Sequence, residues 1–248
     1  MPDVTLSIIF CIDNLVFCLK ITTFPKDYNK IMVHILDHEK TLLNTFVSEL
    51  RDVNIQSDSM RFRRNLERAG EVMAYEISKK LTYADRMIET PLGEAEMSLP
   101  ADEIVIASIL RAGIPFHQGF LNYFDRAKSA FVSAYRRYGK DGAFKVKVEY
   151  TSSINLEGKT LILVDPMIAT GASIELAYHA LVENGGKPAQ MHIATVIACD
   201  EGIEYVKKHL PKRGLAIWAA AVDHELTVRS FVVPGIGDVG DLAYGEKL

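Results

Sequence analysis

The fold of this 248-residue chain is decided by the stretch Leu161-Ile162-Leu163-Val164-Asp165-Pro166-Met167-Ile168-Ala169-Thr170-Gly171-Ala172-Ser173. It begins with apolar residues that are rich in β-branched side chains, which predicts a strand buried on both faces. Asp165-Pro166 ends that strand, because proline cannot continue the hydrogen-bonded ladder. Apolar residues at helical spacing resume from Ile174. The stretch is therefore predicted to join a strand to a helix through a loop.

The loop before the predicted helix has the chemistry of a phosphate site. From Thr170 to Ser173 its side chains are small or carry hydroxyl groups. At a helix N-terminus, such a loop offers oriented main-chain N–H groups, the positive end of the helix dipole and the two hydroxyls. Asp165 is better suited to accept hydrogen bonds from sugar hydroxyls, because a carboxylate next to a phosphate repels it. We therefore predict a site for a ribose 5-phosphate.

Residues 164–173 resemble the phosphoribosyl pyrophosphate (PRPP) motif of the phosphoribosyltransferases, in the single-acid form of the uracil phosphoribosyltransferases. Two further segments fit that family: Ile109-Leu110-Arg111-Ala112-Gly113 and Val233-Pro234-Gly235-Ile236-Gly237-Asp238-Val239-Gly240-Asp241. The three motifs stand in the family's order, and the match runs from about Ile35 to the end of the chain. The resemblance implies an α/β fold of the type I phosphoribosyltransferase kind. Its parts would be a parallel β-sheet flanked by helices, a β-arm that acts as a lid, and a C-terminal base-binding segment.

The resemblance also implies which residues form the site. The expected PRPP-binding residues are Arg111, Arg136, Asp165, Pro166, Met167, Ile168, Ala169, Thr170, Gly171, Ala172, Ser173 and Asp238. The expected uracil-binding residues are Val232, Gly237, Asp238 and Val239. Arg111, Asp165 and Asp238 are expected to be catalytic. An arginine suits the pyrophosphate, because its planar guanidinium can bind two oxygen atoms at once.

The implied reaction joins uracil to PRPP and forms UMP and pyrophosphate. The protein would serve an oxocarbenium-like transition state mainly by position and electrostatics. Mg²⁺ is the implied cofactor, bound mainly through PRPP and without direct protein ligands, since only one acid precedes the loop. GTP is an activator of some family members, and the resemblance leaves its role here open. A homodimer or a higher homo-oligomer is expected.

The residue types at positions 171 and 172 predict the main-chain conformation of the loop. The family more often has a second glycine where this chain has Ala172. A methyl group is tolerated there only if the residue avoids a positive φ. We therefore expect Gly171 to take the left-handed conformation and Ala172 to lie in ordinary helical space.

Three other functions remain as alternatives. An RNA-binding regulator of pyrimidine genes with the same fold would need a basic face, whereas 28 basic against 32 acidic side chains give a net charge of −4. A phosphoribosyltransferase for another base, such as a purine, is disfavoured by the missing second acid and by the tail. A dinucleotide-binding oxidoreductase is disfavoured because the Gly-x-Gly-x-x-Gly fingerprint is absent.

The N-terminal residues 1–32 are interpreted as an extension of uncertain role, followed by a uracil phosphoribosyltransferase-like domain over residues 33–248. The apolar run of residues 6–21 is short for a membrane span and lacks the flanks of a signal peptide. We expect either a strand or hairpin there, or an upstream start with Met32 as the alternative. Three cysteines without metal or disulfide spacing fit a cytoplasmic protein. The short apolar run predicts no membrane partner, and the net charge of −4 makes a nucleic acid an unlikely one.

Periodicity predicts most of the remaining elements. Helices are expected over residues 37–52, capped by Asp37, and over residues 59–81 and 201–209. Strands are expected over residues 103–109, 129–135, 191–199 and 215–222, and a pair of short strands over residues 87–97. Residues 137–150 are expected to form a hairpin that acts as a lid.

Overall fold

The computed structural model describes residues 5–12, 15–22, 31–138 and 144–247, with side chains from residue 31 to 133 and from 149 to 247. The strands are β1 (Thr5–Ile12), β2 (Leu15–Thr22), β3 (Met32–Ile35), β4 (Tyr83–Thr90), β5 (Gly93–Pro100), β6 (Ile104–Leu110), β7 (Lys128–Tyr138), β8 (Phe144–Ser152), β9 (Thr160–Val164), β10 (Met167–Ile168), β11 (Gln190–Cys199), β12 (Leu215–Asp223), β13 (Glu225–Leu226) and β14 (Val232–Val233). The helices are α1 (Leu42–Arg51), α2 (Ser59–Ser78), α3 (Gly113–Leu121), α4 (Ala172–Gly185), α5 (Asp200–His209) and α6 (Val239–Tyr244).

The central sheet has the strand order β3-β12-β11-β9-β6-β7-β8, and β10 pairs with β11. Every neighbouring pair is parallel except β7 and β8. The predicted parallel α/β sheet is confirmed. Because the parallel strands share one direction, the loops that follow β6, β9 and β12 all leave the sheet at its carboxyl edge, where ligands bind in such folds.

Helices cover both faces of the sheet because its central strands are apolar on both sides. Alternate residues of β9 point to opposite faces: Ile162 and Val164 belong to one buried cluster, and Leu161 and Leu163 belong to the other. The first cluster packs against α1, α2, α3 and α6, and the second packs against α4 and α5. The two layers of helices fix where the strand ends lie.

The beginnings of the first two helices test the capping predictions. Helix α1 begins at Leu42, and its cap is Thr41, whose Oγ1 accepts a hydrogen bond from the N–H of Leu43 at 3.3 Å. The prediction of Asp37 as this cap is wrong, because Asp37 lies in the turn that follows β3 and its side chain is too far from the helix start in sequence. Helix α2 begins at Ser59 as predicted, with the carboxylate of Asp58 accepting from two main-chain N–H groups.

Helix α3 has no counterpart among the predicted elements. It contains Gly113, Pro115 and Gly119, which are poor helix formers in isolation. Contact with α2 explains the helix: a Cβ atom on Gly70 would lie 3.2 Å from the Cα of Gly119. The two helices therefore approach closely at their glycines, and this packing offsets the low propensity of α3.

Besides the short ladder of β13 and β14, two hairpins are not hydrogen-bonded to the central sheet. Strands β1 and β2 pair with each other in antiparallel fashion, which confirms a hairpin near the N-terminus. Strands β4 and β5 form the predicted pair of short strands and are longer than expected. The boundary near residue 32 stays a prediction. Among the helices that the structure describes, none has the length and apolar character needed to cross a membrane.

Candidate functional site

The loop of residues 165–173 lies where the sequence predicts it, between β9 and α4. Asp165, the residues from Met167 to Gly171, Ser173 and Ile174 line a small cavity of about 40 Å³. Thr170 and Ser173 are half-buried, and Ser173 lies in the first turn of the 14-residue helix α4, which starts at Ala172. The N–H groups of the first turn of a helix have no partner within the helix, so this is a suitable place for a phosphate group.

Gly171 takes a left-handed conformation with φ +82°, while Ala172 is the first residue of α4. Ala172 is not among the described residues with positive φ, so the predicted division between the two residues is confirmed. A second constraint acts on Gly171, because a Cβ atom there would lie 2.8 Å from the carbonyl oxygen of Gly202. Helix α5 thus packs directly against the loop. No local sequence pattern predicts this contact.

Arg111 follows β6, the strand next to β9. Its Nη2 donates hydrogen bonds to Oδ1 of Asp241 at 3.0 Å and to the carbonyl of Gly245 at 3.1 Å. Its Nε is buried and has no partner among the described residues. The peptide bond between Leu110 and Arg111 is cis. Arg111 therefore connects the sheet to the C-terminal segment at the carboxyl edge.

The C-terminal segment, residues 232–241, brings the predicted uracil-binding residues to the same edge. Val232 and Val239 are only 5% and 3% exposed and belong to the buried core, so they anchor the segment. Gly237 and Asp238 are exposed, and Gly237 has φ +78°. The segment is thus suited to recognise a flat polar ring through main-chain groups.

Asp238 caps helix α6, which the sequence analysis did not predict. Its Oδ1 accepts a hydrogen bond from the N–H of Asp241 at 3.1 Å. A Cβ atom on Gly240 would lie 3.4 Å from this oxygen, 3.8 Å from Nη2 of Arg111 and 3.9 Å from Nζ of Lys247. Two expected catalytic residues, Arg111 and Asp238, are therefore close neighbours, and Asp241 joins them as a residue that the predictions missed.

The carboxyl edge is not the only concave surface. A larger cavity of about 700 Å³ is lined by Asp102, Ile104 and Lys128, at the amino ends of the strands. Ligands of parallel α/β sheets bind at the opposite edge, and the phosphate-binding chemistry is found there. We therefore assign the candidate site to the carboxyl edge.

The remaining expected residues are partly beyond what the structure describes. Arg136 lies on β7, but its side chain is outside the described residues, as is the tip of the lid at residues 139–143. Pro166, Ile168 and Ala169 are buried within the loop, and Met167 is half-buried. No group of three His, Cys, Asp or Glu side chains that could hold a metal ion occurs in the part of the chain that is described.

Comparisons with known proteins identify the family of the chain. The family model described as uracil phosphoribosyltransferase matches residues 37–246. A uracil phosphoribosyltransferase from Porphyromonas gingivalis is 55% identical over 213 residues, covering 86% of this chain and 98% of the relative. One from Pyrococcus furiosus is 37% identical over 205 residues, covering 82% and 85%. The solved structure of a protein from Aquifex aeolicus has a TM-score of 0.76 and 26% identity, covering 86% of this chain and 98% of that one. With a family model over most of its length and such relatives, the chain belongs to the uracil phosphoribosyltransferase family.

Proposed function

We propose that this chain transfers the 5-phosphoribosyl group of PRPP to uracil and so forms UMP and pyrophosphate. The observation that carries the proposal is the meeting, at one edge of one sheet, of a phosphate-binding loop, an arginine and a glycine-rich segment with exposed main chain. In the reaction, the bond from ribose C1 to pyrophosphate breaks and its electron pair leaves with the pyrophosphate. A bond forms from C1 to a ring nitrogen of uracil, which loses its proton.

Each site residue is proposed to bind the part of PRPP that suits its charge. Residues 170–173 would hold the 5-phosphate at the start of α4, and Asp165 would bind the ribose hydroxyls. Arg111 and Arg136 would bind the leaving pyrophosphate, where negative charge grows in the transition state. In this structure Arg111 is paired with Asp241. The pyrophosphate must therefore either displace Asp241 from Arg111 or bind Arg111 together with it. Asp238 would contact PRPP beside Arg111.

Uracil would be read by the main chain of Val232, Gly237 and Val239. Both valines belong to the buried core, so they anchor the segment on which the base would lie. Hydrogen bonds from a rigid main chain recognise the pattern of donors and acceptors on a ring well.

We propose that Mg²⁺ arrives with PRPP as part of the substrate. It would neutralise charge on the pyrophosphate, and its ligands would be mostly oxygen atoms of PRPP and water. The single acid in front of the loop, Asp165, suits this arrangement. GTP is retained as a proposed activator on the resemblance alone, and a higher rate on its addition would support it.

The hairpin of β4 and β5 supports the proposal of a homodimer or a higher homo-oligomer. It exposes the apolar side chains of Tyr83, Met87, Ile88, Leu92 and Met97. An isolated two-stranded hairpin with such a surface gains stability when another surface covers it. Light scattering on the purified protein gives the mass directly. A free thiol at buried Cys199 fits the proposed cytoplasmic location.

The direct test is an incubation with PRPP, Mg²⁺ and each nucleobase in turn, followed by separation of the nucleotides. We expect UMP from uracil and no nucleotide from the purines. A protein that forms no UMP, or that prefers a purine, would contradict the proposal.

A further inference from the structure

The turn of residues 234–237, within the base segment (residues 232–241), has few main-chain hydrogen bonds to hold it. Strands β13 and β14 form a ladder of only two residue pairs, and β14 ends at Val233. Gly235 then takes a left-handed conformation with φ +60°. Between residues 234 and 237, no main-chain hydrogen bond reaches another main-chain group in the described part of the chain. Something other than secondary structure must therefore fix this turn.

An ion pair between two distant parts of the chain supplies that support. Arg51 ends helix α1, and Asp223 ends strand β12. The guanidinium nitrogens Nη1 and Nη2 of Arg51 donate to the two carboxylate oxygens of Asp223 at 2.9 and 2.8 Å. Such a two-point contact fixes the angle between the groups as well as their distance.

The same ion pair binds both polar main-chain groups of Gly235. The N–H of Gly235 donates to Oδ2 of Asp223 at 2.9 Å, and its carbonyl accepts from Nη1 of Arg51 at 3.1 Å. Gly235 is buried. The turn is thus held by two hydrogen bonds to charged partners, which are stronger than bonds between neutral groups.

A neighbouring side chain ties the end of α1 to the next part of the segment. Nε2 of Gln56 donates to the carbonyls of Leu50 and Arg51 at 3.2 and 3.1 Å. The Oε1 of Gln56 lies 3.5 Å from the position that a Cβ atom would take on Gly237. The loop after α1 therefore lies against a residue that is expected to bind the base.

The environment of the pair favours its charged form. The Asp223 side chain is 7% exposed and that of Arg51 is 25% exposed. Burial raises the pKa of the Asp223 carboxyl, but the hydrogen bonds from Arg51 and Gly235 outweigh burial, so this pKa lies below its ordinary value. A buried ion pair is weak evidence for stability, whereas it can select one geometry among several.

We propose that Arg51 and Asp223 are positioning residues that hold the turn at Gly235, and thereby set the main chain of residues 236–239 for uracil. This inference rests on the proposed function of that segment. Ile236, which follows Gly235, is buried in the core, so a shift of the turn would move Gly237 and Asp238 together. A small displacement of binding groups is costly, because a ring is recognised only when all its hydrogen bonds align.

Two mild variants test the proposal, with the full-length protein assayed for UMP formation. Asp223→Asn keeps the shape of the side chain and removes its charge. Arg51→Lys keeps the charge and removes the two-point contact. We expect the KM for uracil to rise about tenfold in both variants, and the preference for uracil over cytosine to fall. The KM for PRPP should stay within about twofold of the wild-type value.

Arg61→Met is the matched control. Arg61 of α2 makes a similar two-point contact with Glu49 of α1, at 2.9 and 2.6 Å, but it does not contact the base segment. Its loss should leave both KM values unchanged. Unfolding followed by the fluorescence of Trp218, the single tryptophan of the chain, reports whether each variant is folded.

The outcomes separate two kinds of failure. A wild-type protein that forms no UMP would defeat the proposed function before any variant is compared. With an active wild type, an unchanged uracil KM in the folded variants, or an equal rise of both KM values, would overturn the positioning role. Failure of both variants to fold would assign the pair to stability alone and would also overturn it.

Discussion

The loop of residues 165–173 and the segment of residues 232–241 serve the same candidate site but are built in different ways. The loop is a direct continuation of β9 into α4. Its main chain is held by near neighbours, with the carbonyl of Pro166 accepting from Val196 and Ile197 on the adjacent strand and that of Gly171 accepting from Glu175. The phosphate loop therefore follows from local sequence and the edge of the sheet.

The base segment depends on distant partners instead. Arg51 and Asp223 hold it at Gly235, and Arg111 binds Asp241. Two residues beyond the segment, Arg63 of α2 donates to the carbonyl of Ala243 at 2.6 Å. Because its conformation is imposed by other elements, the base segment should respond to substitutions in α1, α2 and β12, whereas the phosphate loop should respond to substitutions in its own residues and in the neighbouring β11 and α5.

The largest effect should appear in the preference for one base over another, because only the base segment is expected to contact the base. Uracil has an acceptor at O4 and a donor at N3, and cytosine has the opposite pair. Cytosine would leave main-chain groups of the segment without partners, so kcat/KM for uracil should exceed that for cytosine by roughly 10⁴-fold. Competition between the two bases at fixed PRPP measures this ratio. Similar values for both bases would contradict recognition by the main chain.

Substitution of Arg111 tests the residue that links the two regions. Arg111→Ala should lower turnover by about 10²-fold or more, because charge grows on the leaving pyrophosphate where the guanidinium would bind it. Arg126→Ala is the control, since Arg126 lies at the large cavity near the amino ends of the strands. Activity of Arg111→Ala within a few-fold of wild type would remove this residue from the site.

Acid should lower the stability of both regions alike, because His192 lies on β11, between the strands β9 and β12 from which the two regions continue. Burial lowers the pKa of His192 on β11 from 6.5 to about 4. The unfolded chain then binds more protons than the folded one between these values, so stability is full above pH 6.5 and falls as the pH drops towards 4. From pH 7.5 to pH 5 we expect a loss of about 2 kcal/mol in the free energy of unfolding from this residue.

Urea unfolding at both pH values measures that loss through Trp218, whose Nε1 donates to Nδ1 of His192 at 3.1 Å. In His192→Gln the change in the free energy of unfolding between the two pH values should be smaller by about 2 kcal/mol. Burial also lowers the pKa of His34 and His117, so a smaller dependence of the same sign should remain. An unchanged pH dependence in the variant would show that His192 is not its source.

The parts of the molecule that the sequence predicts are those held by local contacts, and the parts that it does not predict are held by distant residues. Strand β9, its loop and helix α4 were predicted because alternation, proline and helical spacing act within a few residues. Even the conformations of Gly171 and Ala172 followed from the chemistry of single side chains. The site residues that the family resemblance implied at Arg111, Asp238 and Asp165 are brought to one edge, although their roles stay predictions.

Contacts between distant residues account for what the sequence did not predict. Arg51 and Asp223 are separated by 172 positions, and no local pattern pairs them. Helix α3 forms against α2 despite its glycines and proline, and the short helix α6 is packed through Val239 and Ala243 onto the core. Packing outweighs intrinsic propensity in both helices.

One left-handed glycine from each region allows the separate roles of the regions to be measured directly, by determining both KM values in Gly171→Ala and Gly237→Ala. Their φ angles, +82° and +78°, penalise a side chain in both cases, and Ala172→Gly controls for a change in the same loop that requires no such angle. We predict that Gly171→Ala raises the KM for PRPP about tenfold with little effect on uracil, and that Gly237→Ala does the reverse. An equal rise of both KM values in either variant would contradict separate phosphate and base regions.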